Sequence, residues 1–273
     1  MRSFLVELSK VGGKIAREHF ATVAEKDVRS KGQHDYVSHV DRLVEDAIIR
    51  RIRSRYPDHQ ILGEETSGGH PISSDDERPM WIIDPIDGTT NFIHGIPAFA
   101  ISIAYCEHGE PKDGIVYDPM RDEAFIGEAT GGLWLNGDRV ATSGCTEIAN
   151  ALLASALPFR FPEAMDDCVK VFVALQRRCD DHRRGGSAAL DMAYVAVGRL
   201  DGYYELGIHP WDTAAGELLV RCGGGVATDY RGSTGNLTGR RSIVCGATPD
   251  LHRGLLDAVK PIAAWLDRAP FAT

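Results

Sequence analysis

The chain has 273 residues, 43% of them hydrophobic, with a formal net charge of −9. That length accommodates one large or two modest domains with a real core, and the acidic balance argues against broad nucleic-acid binding, which needs a basic surface. No apolar segment approaches the ~20 residues of a membrane helix, and Glu7, Lys10 and Lys14 interrupt the apolar pattern of the N-terminus, so neither a signal peptide nor a membrane span is read.

In chain order, Phe4, Leu5, Leu8, Val11, Ile15 and Phe20 fall mostly at helical spacing and predict an amphipathic first helix. A second helix is expected from Val40 to Tyr56, closed by Pro57-Asp58. Ile61-Leu62 reads as a short strand delivering Gly63-Glu64-Glu65, and the polar stretch from Thr66 to Pro79 as a mobile loop. Strands are expected at Met80-Ile83, Phe99-Glu107, Gly114-Tyr117, Glu123-Glu128 and Leu133-Leu135, with hairpin turns at Gly109-Glu110-Pro111 and Asn136-Gly137. After about Ala149 strands and helices alternate: strands near Ala151-Leu157, Asp201-Leu206, Val226-Tyr230 and Ser242-Ala247, helices near Pro162-Arg178 and from Ser187, Asp212 and Pro249. The fold class is α/β, its N-terminal half α+β and its C-terminal half α/β, divided as residues 1–149 and 150–273 in one compact unit with the active site between them.

The chemistry concentrates in Asp84-Pro85-Ile86-Asp87-Gly88-Thr89-Thr90-Asn91, at the end of the apolar strand Trp81-Ile82-Ile83. Pro85 disfavours helix at Asp84, so both aspartates should sit on an irregular turn that also exposes the Ile86 carbonyl. Gly88 allows close passage to a ligand, with the N–H groups of Gly88 and Thr89 placed for anionic oxygens. Two neighbouring carboxylates resist ionising together without a cation between them, and Mg²⁺, hard and shared readily between carboxylate and phosphate, fits that role. Asp41, Glu64-Glu65 and Asp212 also stand at predicted element ends. Each has a plain structural reading beside the functional one: a helix-start acid, a solvated turn and an N-cap. His94 and His209 lie in motifs without zinc spacing, and a structural role is favoured for both.

Three ordered motifs decide between these readings: Ile61-Leu62-Gly63-Glu64-Glu65, Trp81 through Phe92, and Tyr203-Tyr204-Glu205-Leu206-Gly207-Ile208-His209-Pro210-Trp211-Asp212. Together they resemble the inositol monophosphatase family, in order from Asp41 to at least Asp229. Gly186-Ser187-Ala188-Ala189-Leu190-Asp191 and Ala214 through Leu219 look most like its bacterial inositol-1-monophosphatase branch. The resemblance implies a five-layered α/β/α/β/α sandwich and a Mg²⁺-dependent, lithium-sensitive phosphatase, a hydrolase acting on inositol 1-phosphate through metal-activated water. It implies two or three Mg²⁺ per site: Glu64, Asp84 and the Ile86 carbonyl on the first, Asp84, Asp87 and Asp212 on the second, and Glu64 acting through water on a third. It further implies that Asp41 and Thr89, with Glu64, orient or deprotonate the attacking water. Gly88 and Thr89 cradle phosphate, Gly186, Ser187 and Ala188 approach the substrate, and Glu205 contacts ring hydroxyls. The helices from Ser187 and Asp212 are expected to turn positive dipole ends toward the anion.

Cys222-Gly223 and Pro210 depart from the family's commonest wording, and neither touches an expected ligand. On the same fold, fructose 1,6-bisphosphate, 3′-phosphoadenosine 5′-phosphate and histidinol phosphate are the runner-up substrates, with Glu205 favouring a polyol. A regulatory protein on the transcription or RNA machinery, docking through Arg50, Arg51, Arg53 and Arg55, is the reading from another class. A C-terminal helical turn complementing the dipole is favoured for those arginines, and the full set of acids gives pure binding low weight. A homodimer is implied by the resemblance, and the six cysteines, lacking C-x-x-C pairing, point to reduced thiols in a cytoplasm.

Overall fold

The computed structural model describes residues 1–21, 28–32, 35–66, 78–234, 237 and 239–268, with backbone alone over 28–32 and 35–38. Residues 67–77 of the expected loop lie outside the described residues. The elements are α1 (Arg2–His19), β1 (Val28–Gly32), β2 (Asp35–Ser38), α2 (His39–Arg55), β3 (Gln60–Gly63), β4 (Met80–Asp87), α3 (Thr89–Ile93), β5 (Ala100–Glu107), β6 (Glu110–Asp118), β7 (Glu123–Glu128), β8 (Gly132–Leu135) and β9 (Asp138–Arg139). There follow β10 (Leu152–Ser155), α4 (Met165–Gln176), β11 (Asp181–Arg183), α5 (Ala188–Ala196), β12 (Gly202–Ile208), α6 (Pro210–Cys222), β13 (Val226–Thr228), β14 (Arg241–Gly246) and α7 (Pro249–Ala263).

Strands β1 and β2 pair with each other in a separate antiparallel hairpin, and two larger sheets carry the remaining strands. The larger runs β3-β4-β5-β6-β7-β8-β9 in order, antiparallel except for β3 against β4; the smaller runs β11-β10-β12-β14-β13 and is mixed. Helices α1 and α2 pack outside the larger sheet, α5 and α6 lie between the sheets, and α4 and α7 cover the far face of the smaller one. The result is the expected five-layered sandwich. Three apolar clusters fill the gaps between layers, each built from the inward positions of its strands and helices. Among the described residues no helix is long and apolar enough to cross a membrane, and all six cysteines are free.

Local chemistry explains where the elements differ from expectation. The β5–β6 hairpin turns at His108-Gly109, not at Gly109-Pro111, because both residues take positive φ and close a two-residue loop. Asn136-Gly137 does the same between β8 and β9. The expected helix from Pro162 begins as a single 3-10 turn over Pro162–Ala164 before α4. Strands β9 and β11, of two and three residues, are too short to show a period.

The arginines at the end of α2 serve the fold. Arg51 donates to Ala47 O at 3.1 Å, Arg53 to Pro57 O and His59 O at 2.9 Å each, and Arg55 covers the Phe4 ring at 4.8 Å. Arg53 ties the end of the helix to the turn that follows it, and Arg55 shields the aromatic packing of Phe4 against Trp81.

Helix α1 approaches β6 most closely at Gly13, where a Cβ would lie 2.4 Å from the buried Tyr117 ring. That ring cannot move aside, since its hydroxyl is held by Asp122 at 2.6 Å and by Arg17 at 3.0 Å. Gly13→Ala should therefore destabilise by about 1–3 kcal/mol through overpacking, despite alanine's helix preference of about 1 kcal/mol. A thermal or denaturant melt checks the sign, and an unchanged or raised midpoint contradicts this packing.

Candidate active site

The site is built outward from β4. Strand β3 stops at Gly63, opposite Ile83, so beyond Ile83 strand β4 has a partner only in β5 and behaves as an edge that tolerates Pro85. Between Asp84, paired with Ser102, and Asp87, paired with Ala100, β4 carries one more residue than β5. The expected irregular turn is thus a bulge within a continuous strand, and the bulge turns both carboxylates to one cavity. Glu64 joins them, because its N–H bonds to Ile83 O at 3.1 Å as the chain leaves β3.

Gly88 follows with φ of 100°, and any Cβ there would lie 3.1–3.3 Å from Ala98 O, Gly186 O and the Phe99 Cα. Only glycine permits this approach, which seats the Gly185-Gly186 loop on the motif. Asn91 locks it, its side-chain amide donating to Ala98 O at 2.7 Å and Gly185 O at 2.8 Å.

Asp87 reaches the N-terminus of α5. Its Oδ2 accepts from the Ser187 hydroxyl and from Ala189 N at 2.7 Å, while Ser187 Oγ caps the helix by accepting from Leu190 N. The positive end of α5 is therefore directed at the protein's own carboxylate, where the sequence suggested a substrate anion. Asp212 is placed by α6 in a comparable way. It is not the N-cap: His209 is, Pro210 opens the helix, and Asp212 Oδ2 accepts from His209 N at 2.7 Å in a capping box. His209 stacks on Trp211 at 4.3 Å and accepts from Arg240 Nε at 2.8 Å, a structural position outside the cavity lining.

Asp84 spends one oxygen on Ile86 N at 3.0 Å. Asp84, Asp87 and Asp212 each offer an oxygen within 4.8 Å of the others, a group that could hold a metal ion. Burial first, then the neighbouring carboxylates, pushes Asp84 well above the usual carboxylate range. Burial likewise raises Asp87 and Asp212 to about 7, against the hydrogen bonds from Ser187 and His209 that lower them. The donor set suits a hard cation, since the ligand-bearing side chains of the lining are carboxylates, hydroxyls and the Asn91 amide, all oxygen donors, with no histidine or cysteine.

Asp41, on α2 and fully buried, lies behind this cluster. Thr89 Oγ1 is 3.2 Å from Asp41 Oδ1 and 3.1 Å from Ile86 O, and its single proton serves one acceptor at a time. Across the cavity, β12 turns Tyr203 and Glu205 to the same face, and the tyrosine hydroxyl donates to Glu205 Oε2. Burial raises the Glu205 carboxyl to about 7, while Tyr203, Arg160 and Arg184 act in the opposite direction. Gly186, Ser187 and Ala188 complete the lining of a cavity of about 500 Å³.

The structure thus gathers Glu64, Asp84, Ile86, Asp87, Gly88, Thr89, Gly186, Ser187, Ala188, Glu205 and Asp212 around one cavity, with Asp41 in contact through Thr89. Sequence reasoning missed Asn91 as the clasp, Asp191, Arg160 and Arg184. The spacing of Asp191 four residues after Ser187, one helical turn on, was the available signal for it. Its carboxyl takes the Gly185 N–H and is raised well above its usual range, chiefly by burial.

Comparison with known proteins agrees with this geometry. The model of the inositol monophosphatase family matches residues 1–264. The Nus factor SuhB of Salmonella typhimurium is 40% identical over 266 residues, covering 95% of this chain and 98% of its own. The crystal structure of extragenic suppressor protein suhB from Bartonella henselae has a TM-score of 0.87 at 34% identity, covering 95% of this chain and 98% of that one. The IMPase-II of Staphylococcus aureus with inositol monophosphate bound has a TM-score of 0.80 at 28% identity, covering 97% and 95%. With its motifs, its layers and its relatives in agreement over nearly its whole length, this chain is a member of the inositol monophosphatase family.

Proposed function

We propose that the chain is a magnesium-dependent phosphomonoesterase that hydrolyses inositol 1-phosphate and related small polyol phosphates to the alcohol and inorganic phosphate. The observation that carries the reading is the placement of Asp84, Asp87 and Asp212 with ligand oxygens within 4.8 Å, in a cavity that also holds Glu205. Glu64, Asp84 and the Ile86 carbonyl would hold one Mg²⁺, Asp84, Asp87 and Asp212 a second, with Glu64 acting through water on a third. When bound, these ions supply Lewis acidity toward the phosphoryl oxygens and the leaving oxygen.

The chain's own groups do the rest. Thr89, donating its proton to Asp41, presents a lone pair to an incoming water and so orients it and takes up its proton, with Glu64 beside it. The water oxygen bonds to phosphorus as the ester P–O bond breaks, and the departing alkoxide is protonated from solvent. The N–H groups of Gly88 and Thr89 hold phosphoryl oxygens. Gly186, Ser187 and Ala188 approach the substrate from the facing loop. Tyr203 occupies one oxygen of Glu205 and leaves the other for a polyol hydroxyl. The proposal includes a homodimer inhibited by lithium, which rests on family membership, and a cytoplasmic location, with which six free cysteines are in keeping. It also includes the division at residue 149 with the site between the halves, supported by a lining drawn from both sheets.

A second reading is favoured by one specific observation, that relatives such as that of Salmonella typhimurium are named Nus factors. A role at the transcription machinery would stand beside catalysis. Capture of transcription proteins by an Asp87→Asn chain as efficiently as by wild type is the expected result if the two roles are separate; capture by neither removes the second role.

Purified protein with Mg²⁺ should release phosphate from inositol 1-phosphate. Asp87→Asn and Asp212→Asn should each lower kcat/KM by about 10³-fold or more, the scale of losing a principal electrostatic contact to the transition state. Full activity in both variants would refute the site.

The raised carboxyls fix the sign of a pH effect. Their folded-state pKa values exceed the unfolded ones, so the metal-free fold binds extra protons between about pH 4 and 7 and loses stability as pH rises through that window. Mg²⁺ competes with those protons. In EDTA the melting temperature should fall from pH 5 to pH 8, and the Mg²⁺-induced rise should grow over the same range, to about 2.7 kcal/mol at 100 times the dissociation constant. An Mg²⁺ effect independent of pH contradicts the assignment.

A further inference from the structure

Helix α2 carries a second buried acid, to which the catalytic reading gives no task. Glu45 is fully buried and stands one helical turn after Asp41, so the two carboxylates leave the same face of the helix. Asp41 meets Thr89 in the motif after β4. Glu45 meets the other half of the site, since its Oε2 accepts from Glu65 N at 3.0 Å in the turn that follows β3. We propose that Glu45 is a positioning residue: its carboxylate fastens the turn over 63–66 to α2 and thereby aims the Glu64 side chain at the metal cluster. This rests on the phosphomonoesterase reading above, in which Glu64 holds Mg²⁺, and adds to it the group that sets Glu64.

The turn is held on both sides of Glu64. Before it, β3 ends at Gly63 in register with Ile83, and Glu64 N donates to Ile83 O at 3.1 Å. After it, Glu65 N is spent on Glu45, and the hydroxyl and N–H of Thr66 bond the same carboxylate. Burial pushes the Glu45 carboxyl above its usual range, and these hydrogen bonds act in the opposite direction. The Glu65 side chain turns back to α2, its carboxylate 4.0 Å from Arg42 Nε, three residues before Glu45. Consecutive glutamates therefore part, Glu65 to the helix and Glu64 to the cavity. Gly63 makes the seat. A Cβ there would lie 2.5–2.7 Å from both carboxylate oxygens and the carboxyl carbon of Glu45, so only glycine lets the acid close on the end of β3.

A glutamate side chain has several rotatable bonds, so a backbone fixed before and after Glu64 narrows the positions its carboxylate can take. Partners that orient a metal ligand count in the metal's affinity, and their loss lowers affinity or activity by about 10–100-fold. The charge of Glu45 also faces that of Glu64, which makes a purely electrostatic role the competing account. Glutamine separates the two, because it is neutral and keeps an acceptor oxygen for Glu65 N.

Calorimetric titration of the metal-free protein with Mg²⁺ tests this without turnover, and hydrolysis of inositol 1-phosphate tests it again. Glu45→Ala should weaken Mg²⁺ binding about tenfold or more and lower kcat by a similar factor, with KM within about threefold, whereas Glu45→Gln should keep Mg²⁺ affinity and kcat within about threefold of wild type. Gly63→Ala, which pushes the carboxylate off its seat, should reproduce the loss with Glu45 in place. The double variant Glu45→Ala, Gly63→Ala, in which that space is open, should lose no more than either single one. A lowered melting temperature in Glu45→Ala with Mg²⁺ affinity and kcat unchanged would mean that the residue only supports the fold, and overturns the proposal. So does a Glu45→Gln chain as impaired as Glu45→Ala, which assigns the effect to charge. If Glu45→Ala does not fold, Glu45→Gln and Gly63→Ala decide by the same criteria. If wild type binds Mg²⁺ and hydrolyses no ester, the phosphatase reading fails and the titration still decides Glu45; if it binds none, Glu45 has no metal ligand to position and the proposal falls.

Discussion

The structure is organised around a repulsion. Three carboxylate oxygens within 4.8 Å of one another cost, at an effective dielectric of about 20, at least about 3 kcal/mol per ionised pair. Three pairs sum to a cost comparable with the whole net stability of a domain, about 5–15 kcal/mol. The fold withstands this by holding each carboxylate independently: Asp84 by the bulge backbone of β4, Asp87 by the N-terminus of α5, Asp212 by the first turn of α6. Each anchor draws on a different element, so the placement of one acid does not rely on the other two. Protons or a divalent cation then relieve the strain, which makes stability and metal affinity two readings of one quantity.

The central helix layer links this cluster to the rest of the molecule. Helices α5 and α6 pack on each other and contribute to the apolar cluster between the sheets, while their N-termini carry the contacts to Asp87 and Asp212. Helix α6 is fixed to the smaller sheet by the buried Glu217–Arg241 ion pair at 2.7 Å. Breaking one half of such a pair leaves a buried charge and costs several kcal/mol. A core substitution between α5 and α6 would therefore disturb the site without touching it.

The element types, the layers and the acids were legible because each leaves a local signature: a helical period from Phe4 to Phe20, a buried apolar run into Asp84, an asparagine-glycine turn at 136–137. What was not legible depends on partners distant in sequence. The bulge at Pro85 is defined by the register of β5, and the termination of β3 gives it an edge. Asp212 resembles an N-cap in the sequence, yet His209 and Pro210 start the helix three residues earlier. Asn91 bonds across 94 residues to Gly185, and nothing near it announces that partner. Arg160 is one arginine among many until β10, β11 and β12 are placed side by side.

That last arrangement separates two tasks within one cavity. The larger sheet and the N-termini of α5 and α6 supply the acids, so the groups to which the proposed function assigns bond breaking belong to the most constrained layers. The smaller sheet supplies Glu205 from β12 and the arginines from the loops after β10 and β11, and such loops vary at little cost to a core. On the proposed function, the groups at the phosphate end sit on a buried bulge and two helix ends, while Glu205 faces them from the buried strand β12 of the other sheet. Phe161 packed against Gly207 and Asn91 bonded to Gly185 each hold a loop that lines this cavity, one from within the smaller sheet and one from the motif after β4.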